Sequence, residues 1–324
     1  MSDPRTMRSE NYLSPDTLVQ LSPFELRAKM IVEGVMSGMH RSPYQGMAVE
    51  FAQHRQYVTG DDTRHLDWKV YGRSDKLYTK QYQQETNLDV ILMIDASASM
   101  GYGSLAVRKD WGGTKASEAA KKWTKFDCAT ALAAALAYVC IHQQDRIGVC
   151  IFADGVHTLI RRSGAHTQWR SIVNTLSTEP VDETTNFTKA TDQVLGKITN
   201  RALFIILSDL FDDPENIRRA LAKFRHRRHD VVLLHTLDRK EMQFDFTQPA
   251  PFLGLEGEGR LRIDPRALRE PYLNALAQHI ESISRTAVGF GFDYLRIDTH
   301  DPVGPTLATL LAHRQLVSKR VKTG

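Results

Sequence analysis

Residues 88–99, LDVILMIDASAS, decide the fold of this 324-residue chain. The run from Leu88 to Ile94 is almost entirely apolar, which is typical of a strand that is buried on both faces of a parallel sheet. Three later runs have the same character, at 146–152, 202–208 and 230–235. Helical patterns lie between these strands, so the sequence predicts an α/β fold with a doubly wound, mostly parallel sheet.

The composition is that of a soluble globular protein, with 42% hydrophobic and 25% charged residues. A net charge of +4 does not by itself indicate nucleic-acid binding. Three cysteines, Cys128, Cys140 and Cys150, show no CxxC spacing, which argues against a disulfide framework or a zinc site. We expect buried free thiols, which suit the reducing cytoplasm.

We expect no signal peptide and no membrane segment, because the N-terminus is polar and no run reaches roughly 18 apolar residues. Changes in residue pattern along the chain predict four parts: a loose arm at 1–20, an N-terminal segment at 21–84, the α/β domain at 85–240 and an extension at 241–324. We expect the extension to pack on the same domain. These features favour a cytoplasmic protein.

Polar side chains follow two of the predicted strands. The first strand ends in a turn with Asp95, Ser97 and Ser99, the third ends at Asp209, and a polar loop before a helix carries Thr185. Ligands bind at the carboxyl ends of the strands in such sheets. An all-oxygen set with two carboxylates suits Mg²⁺, with Mn²⁺ as the alternative ion. We expect the metal to keep an open position that accepts a carboxylate of a partner protein.

These five residues match, in order and spacing, the metal-ion-dependent adhesion site of von Willebrand factor A domains. The resemblance implies that the two serines and the threonine contact the metal and that the aspartates act directly or through water. That family often has Gly-Gly-Thr where this chain has Thr184-Thr185. Thr185 is the favoured ligand, and Thr184 is its rival.

The segment ahead of the first core strand resembles a narrower family, the bacterial domain of unknown function 58 proteins. The matching residues are Gly46, Glu50-Phe51, Arg55-Gln56-Tyr57, Gly60-Asp61-Asp62-Thr63-Arg64, Leu66-Asp67-Trp68 and Arg73. The resemblance covers roughly 38–240. The segment 101–125 is longer than usual in the family, and we expect it to lie beside the site.

The resemblance also implies a function. Such proteins are often encoded beside MoxR-type AAA+ ATPases, so it implies an adaptor or co-chaperone that binds such an ATPase and a client protein. Many relatives carry membrane helices ahead of this region; none is predicted here, which favours a cytosolic form.

The charged string before the first core strand has two readings. Asp61, Asp62, Arg64, Asp67 and Trp68 form either a structural ion-pair motif that holds the N-terminal segment or a partner-binding surface. A guanidinium matches a carboxylate, so we expect Arg64 to pair with Asp62 or Asp67.

Two alternatives belong to other functional classes. A Mg²⁺-dependent phosphohydrolase needs a second acid two residues after the first aspartate, where this chain has Ser97. A nucleic-acid or acidic-partner binder would use the basic helix end with Arg225, Arg227 and Arg228, for which a solvated helix end is the simpler explanation. The sequence has no GxxxxGK[ST] and no GxSxG motif, so we predict that the protein is not an enzyme.

Overall fold

The computed structural model describes residues 32, 51–58, 66–82, 88–107, 114–178, 181–246, 250–255, 259–304 and 307–308, with only the backbone for 51–55, 79–82, 250–253 and 260–263. The strands of these residues are β1 (Phe51–Gln56), β2 (Tyr78–Tyr82), β3 (Asp89–Asp95), β4 (Leu105–Ala106), β5 (Lys122–Trp123), β6 (Arg146–Phe152), β7 (Val156–Ser163), β8 (Leu203–Ser208), β9 (Asp230–Leu237), β10 (Ala250–Leu253), β11 (Arg260–Ile263) and β12 (Asp293–Asp298). The α-helices are α1 (Trp68–Ser74), α2 (Lys115–Ala120), α3 (Lys125–His142), α4 (Thr167–Thr178), α5 (Phe187–Lys197), α6 (Pro214–His226), α7 (Arg239–Gln243) and α8 (Pro265–Gly289).

Six strands form the main sheet in the order β12-β9-β8-β3-β6-β7. Every neighbouring pair is parallel except β6 and β7, which form an antiparallel edge. Helices cover both faces of this sheet, so the predicted doubly wound, mostly parallel α/β fold is confirmed. Strands β3 and β8 are neighbours, and their carboxyl ends therefore lie side by side.

Alternate residues of β3 pack into two different layers, as the two-residue period of a strand requires. Val90 and Leu92 belong to the hydrophobic core shared with α3 and α4. Ile91 and Met93 belong to the core shared with α5, α6 and α8. Burial on both sides explains why the strand is apolar between its two terminal aspartates.

Helix α3 is the central helix of one layer. Its start is fixed by a capping box, in which the Thr124 hydroxyl accepts from the Asp127 N–H and the Asp127 carboxylate accepts from the Thr124 N–H. Among the described helices it alone is long and apolar enough to cross a membrane by length and composition, and 89% of that stretch is buried inside the protein. A helix that is apolar on all sides is typical of a buried core position. Two of the three cysteines lie on it, and all three are free and buried, as predicted.

The chain divides into two compact units, residues 40–87 and a larger unit made of 1–39 and 88–324. In the smaller unit β1 and β2 pair antiparallel. In the larger unit β12, from the predicted extension 241–324, is an edge strand of the main sheet. The predicted arm at 1–20 lies outside the described residues, and the boundaries at 21–84 and 85–240 stay predictions.

Candidate metal centre

The turn after β3 brings three of the predicted ligands into one buried group. Asp95 and Ser97 are fully buried, and Ser99 is nearly so. The Ser97 N–H donates to Asp95 Oδ1 at 2.9 Å, and the Oγ atoms of Ser97 and Ser99 lie 3.1 Å apart. A short 3₁₀ helix (Ala98–Gly101) then closes the turn. One carboxylate and two hydroxyls are therefore held together at the end of a core strand.

The turn after β8 adds a second carboxylate to this group. Ser208 Oγ donates to Asp95 Oδ2 at 2.5 Å and so joins the two strand ends. The side chain of Ser99 helps to lower the pKa of the Asp209 carboxylate, which is also buried. The next residue, Leu210, has φ of 50°, a left-handed conformation that a bulky side chain rarely adopts. Strain of this kind is often found beside functional sites.

Two histidines hold the main chain of that turn. His235 Nε2 donates to the Asp209 carbonyl at 2.7 Å, and its Nδ1 accepts from the Tyr294 hydroxyl at 2.8 Å. His279 Nε2 donates to the Leu210 carbonyl at 2.9 Å. The tautomers follow from the partners, because a carbonyl only accepts. Burial lowers the pKa of His235 to about 4, so this ring is neutral at pH 7.

The loop before α5 reaches the first turn through its main chain. The Ala98 N–H donates to the Glu183 carbonyl at 2.7 Å, and the Asn186 N–H donates to a carbonyl of the loop after β6 at 2.9 Å. Between these two anchors Thr185 is half-buried and Thr184 is exposed. The backbone thus fixes the segment that carries both rival threonines beside the β3 turn.

The two carboxylates differ in electrostatic environment. Burial, together with the charge of Asp209, raises the pKa of Asp95 to about 7. Burial also disfavours the charged form of Asp209, but the charge and hydrogen bond of Lys125, with help from the Ser99 side chain, hold the pKa of Asp209 below its usual value. Asp95 is therefore the carboxylate that carries an unbalanced cost of ionisation.

The donor set fits a hard divalent cation. Within the described residues Asp95 forms no ion pair, and its hydrogen bonds come from Ser208 and the Ser97 N–H. Carboxylate and hydroxyl oxygens are ligands that Mg²⁺ accepts, and Mn²⁺ takes the same kind of set. Among those residues no three His, Cys, Asp or Glu side chains converge on a metal position. Metal binding here would therefore depend on hydroxyls as much as on carboxylates.

Comparison with known proteins gives the family. Residues 53–282, most of the chain, match the family described as "Protein of unknown function DUF58". The chain belongs to the DUF58 family. Over 303 residues this DUF58 chain is 27% identical to the uncharacterized proteins Mb1516 of Mycobacterium bovis and Rv1480 of Mycobacterium tuberculosis, covering 91% of its own length and 89% of theirs. The family resemblance in the sequence is thereby confirmed.

Solved structures similar to the DUF58 chain include the conserved hypothetical protein BatB from Bacteroides thetaiotaomicron, at 15% identity and a TM-score of 0.43. That match covers 73% of this chain and all of BatB. The SpRpn10 VWA domain matches at 11% identity with a TM-score of 0.38, over 68% of this chain and 93% of that domain.

Lys125 is the main residue of this DUF58 site that the sequence pattern does not single out. Its Nζ lies 2.8 Å from Asp209 Oδ2 and 2.9 Å from Glu241 Oε1, and the side chain is buried. A signal for it does exist in the sequence. Lys125 is the first residue of α3, and a cation at a helix N-terminus opposes the helix dipole, so such a lysine needs acidic partners. Ser208 and His235 carry no comparable signal, since each is one polar residue in a buried strand.

The upstream motif is described in part. Asp67 is buried and caps α1, accepting from the Lys69 N–H at 3.0 Å and the Val70 N–H at 3.2 Å. Trp68 is 64% exposed and meets the ring of Tyr71 edge to face, with centroids 6.2 Å apart. The other residues of the motif, which are Asp61, Asp62 and Arg64, lie outside the described residues.

The basic run ends α6. Arg225, Arg227 and Arg228 are exposed, while Arg227 also donates to the Leu195 carbonyl. Lys223 pairs with a carboxylate of α5 at 2.6 Å. These contacts are what a solvated helix end makes with its neighbouring helix.

Proposed function

We propose that this DUF58 chain is a metal-dependent protein-binding module. The observation that carries the proposal is the convergence of two buried carboxylates and their hydroxyl neighbours at the ends of β3 and β8, where Asp95 ionises only at a cost. The residues that would hold the metal are Asp95, Ser97, Ser99, Thr185 and Asp209.

Each group of ligands has a separate role. A bound Mg²⁺ supplies an electrophilic position at which an oxygen of a partner's carboxylate can bind. The two aspartates offset the charge of the ion, whereas Ser97, Ser99 and Thr185 offer oxygen atoms without further negative charge. Because Asp95 and Ser97 are fully buried, the partner would approach from the side of the half-buried Thr185.

The partner that we propose is a MoxR-type AAA+ ATPase, for which the chain would act as an adaptor or co-chaperone toward a client protein. Support comes from membership of the DUF58 family and from what the sequence resemblance implies. We also propose a cytoplasmic location, because three buried free thiols suit a reducing compartment.

A Mg²⁺-dependent phosphohydrolase is less well supported. The position that would carry the second acid is Ser97, whose hydroxyl lies next to that of Ser99. A lysine does stand in the site, but its ammonium is bound by Asp209 and Glu241. Turnover of an aryl phosphate with Mg²⁺, abolished by Asp95→Asn, would revive this alternative.

Metal binding is tested by calorimetry on the full chain. We expect the wild type to bind Mg²⁺ and Mn²⁺, and Asp209→Ala to lose at least tenfold in affinity. Asp154→Asn is the matched control, since Asp154 follows β6 at the same end of the sheet but is exposed and paired with Lys189. Equal affinity in all three proteins would contradict the assigned site.

Partner binding is tested by capture from lysate of the native host. Immobilised wild type in Mg²⁺ is compared with wild type in EDTA, with Asp95→Ala plus Ser97→Ala, and with Asp154→Asn. We expect an AAA+ ATPase to be retained only by wild type and Asp154→Asn in Mg²⁺. Retention of the same ATPase in EDTA would contradict the metal-bridged mechanism.

A further inference from the structure

A fixed cation already lies inside the site that we assign to a divalent cation. Lys125 is 3% exposed, and its ammonium contacts Asp209, one of the candidate ligands, at 2.8 Å. A buried ammonium must be paired to be tolerated, and its second partner is Glu241 at 2.9 Å. Both contacts are within direct hydrogen-bond distance, so this charge belongs to the site itself.

The second partner is itself held in place. Glu241 Oε2 accepts from the Asp238 N–H at 3.0 Å and completes a capping box at the start of α7. The Asp238 carboxylate in turn binds the Ser104 hydroxyl at 2.7 Å and the Thr299 hydroxyl at 3.0 Å. Glu241 therefore has little freedom to follow the ammonium, and the position of Lys125 is fixed from both sides.

The charges near the metal position can be counted. Asp95, Asp209, Glu241 and Lys125 together have a formal charge of −2, since three carboxylates face one ammonium. Adding Mg²⁺ makes the group neutral. Without Lys125 the same group would be −3 before the metal binds and −1 afterwards, which repels a carboxylate.

We propose that Lys125 determines how strongly the site holds its metal and what net charge the loaded site has. Lys125 and the metal are both attracted to Asp209 and repel each other, so the lysine lowers metal affinity and keeps the loaded site from being net negative toward an acidic partner. The inference rests on the proposed metal-binding function. It makes Lys125 a residue that sets ligand preference, with no direct contact to the partner required.

A purely structural ion pair predicts a different pattern. If Lys125 and Glu241 only hold the fold, then removing either one loosens Asp209 and weakens metal binding. If Lys125 acts through its charge, the two substitutions have opposite effects. Loss of the positive charge strengthens metal binding, and loss of the negative charge of Glu241 weakens it.

The test is titration calorimetry with Mg²⁺ and with Mn²⁺ on metal-stripped full-length protein. Lys125→Met and Lys125→Gln remove the charge, and the glutamine keeps a hydrogen-bonding group toward Asp209. Glu241→Gln removes one negative charge while keeping a residue that serves in a capping box. We expect at least tenfold tighter binding in the two lysine variants and at least threefold weaker binding in Glu241→Gln.

The outcomes separate failure of the role of Lys125 from failure of the proposed metal-binding function. Suppose that the wild type binds metal and that a folded neutral variant of Lys125 binds it no more tightly. Lys125 then does not act through charge, and the proposed function stands. If only the neutral variants bind, Lys125 is the resident cation and metal docking by the wild type is overturned. If no protein binds, both proposals fail. Circular dichroism of each variant shows which ones are folded.

Discussion

Replacing Asp95 by asparagine should stabilise the metal-free chain and abolish its response to Mg²⁺. Asparagine has the same shape, so its oxygen can accept from the Ser97 N–H and its amide can donate to Ser208 Oγ. It carries no charge that burial would penalise. A substitution in a proposed binding site would thus raise stability, as expected where function conflicts with stability.

The pKa of Asp95 sets the size and sign of this effect. In the unfolded chain the carboxyl ionises near 3.8, whereas burial and the charge of Asp209 raise its pKa in the folded chain to about 7. Between these values the unfolded state binds fewer protons, so the free energy of unfolding falls as pH rises. At about 1.36 kcal/mol per pH unit the loss reaches about 4 kcal/mol above pH 7. Asparagine avoids this loss, which corresponds to a rise in Tm of roughly 8 °C.

Thermal unfolding at about pH 5 and pH 8, with Mg²⁺ or EDTA, measures the effect. We expect Asp95→Asn to exceed the wild type in EDTA, by more at the higher pH, and to show no Mg²⁺ response. The difference between the two proteins cancels the titration of other groups. Asp154→Asn, at an exposed carboxylate, should behave as wild type. If Asp95→Asn is less stable than wild type at the higher pH in EDTA, the electrostatic reasoning is wrong.

Three further predictions concern the same site. Thr185→Val should lower Mg²⁺ affinity at least tenfold in calorimetry, while Thr184→Val, at the exposed rival position, should not; the reverse result would move the ligand by one residue. Ser97→Ala plus Ser99→Ala should abolish the Mg²⁺-induced rise in Tm and lower metal-free stability by about 2 kcal/mol, because the hydroxyl pair and its support of the two carboxylates are removed. The imidazole of His235 should show no titration in NMR spectra above about pH 5, since burial lowers its pKa to about 4; a midpoint near 6.5 would show an open turn.

The parts of the fold that depend on periodicity could be predicted from the sequence. Residues 90–94 are apolar on both faces because helices cover both sides of the sheet, and that pattern is visible without coordinates. The turn after this strand was also predictable, since Asp95, Ser97 and Ser99 are close together in sequence as well as in space.

The contacts around the site could not be predicted in the same way. Lys125 and Glu241 are 116 residues apart in the sequence. They are in contact because the start of α3 and the whole of α7 lie at the same end of the sheet. The left-handed backbone conformation of Leu210 could not be predicted either, because leucine has no preference for that conformation. Both features depend on tertiary packing, which overrides local preference.

The hydrogen bond between Ser208 and Asp95 places the site across the two innermost strands of the sheet, and this has a consequence for hydrogen exchange. Amides of β3 and β8 exchange only when the central strands separate, and that opening also destroys the ligand set. A bound metal should therefore slow exchange of both strands together and by the same factor, because it stabilises only the closed form. The edge strands β7 and β12 can open while the ligands stay in place, so we expect their amides to exchange at rates that are indifferent to metal.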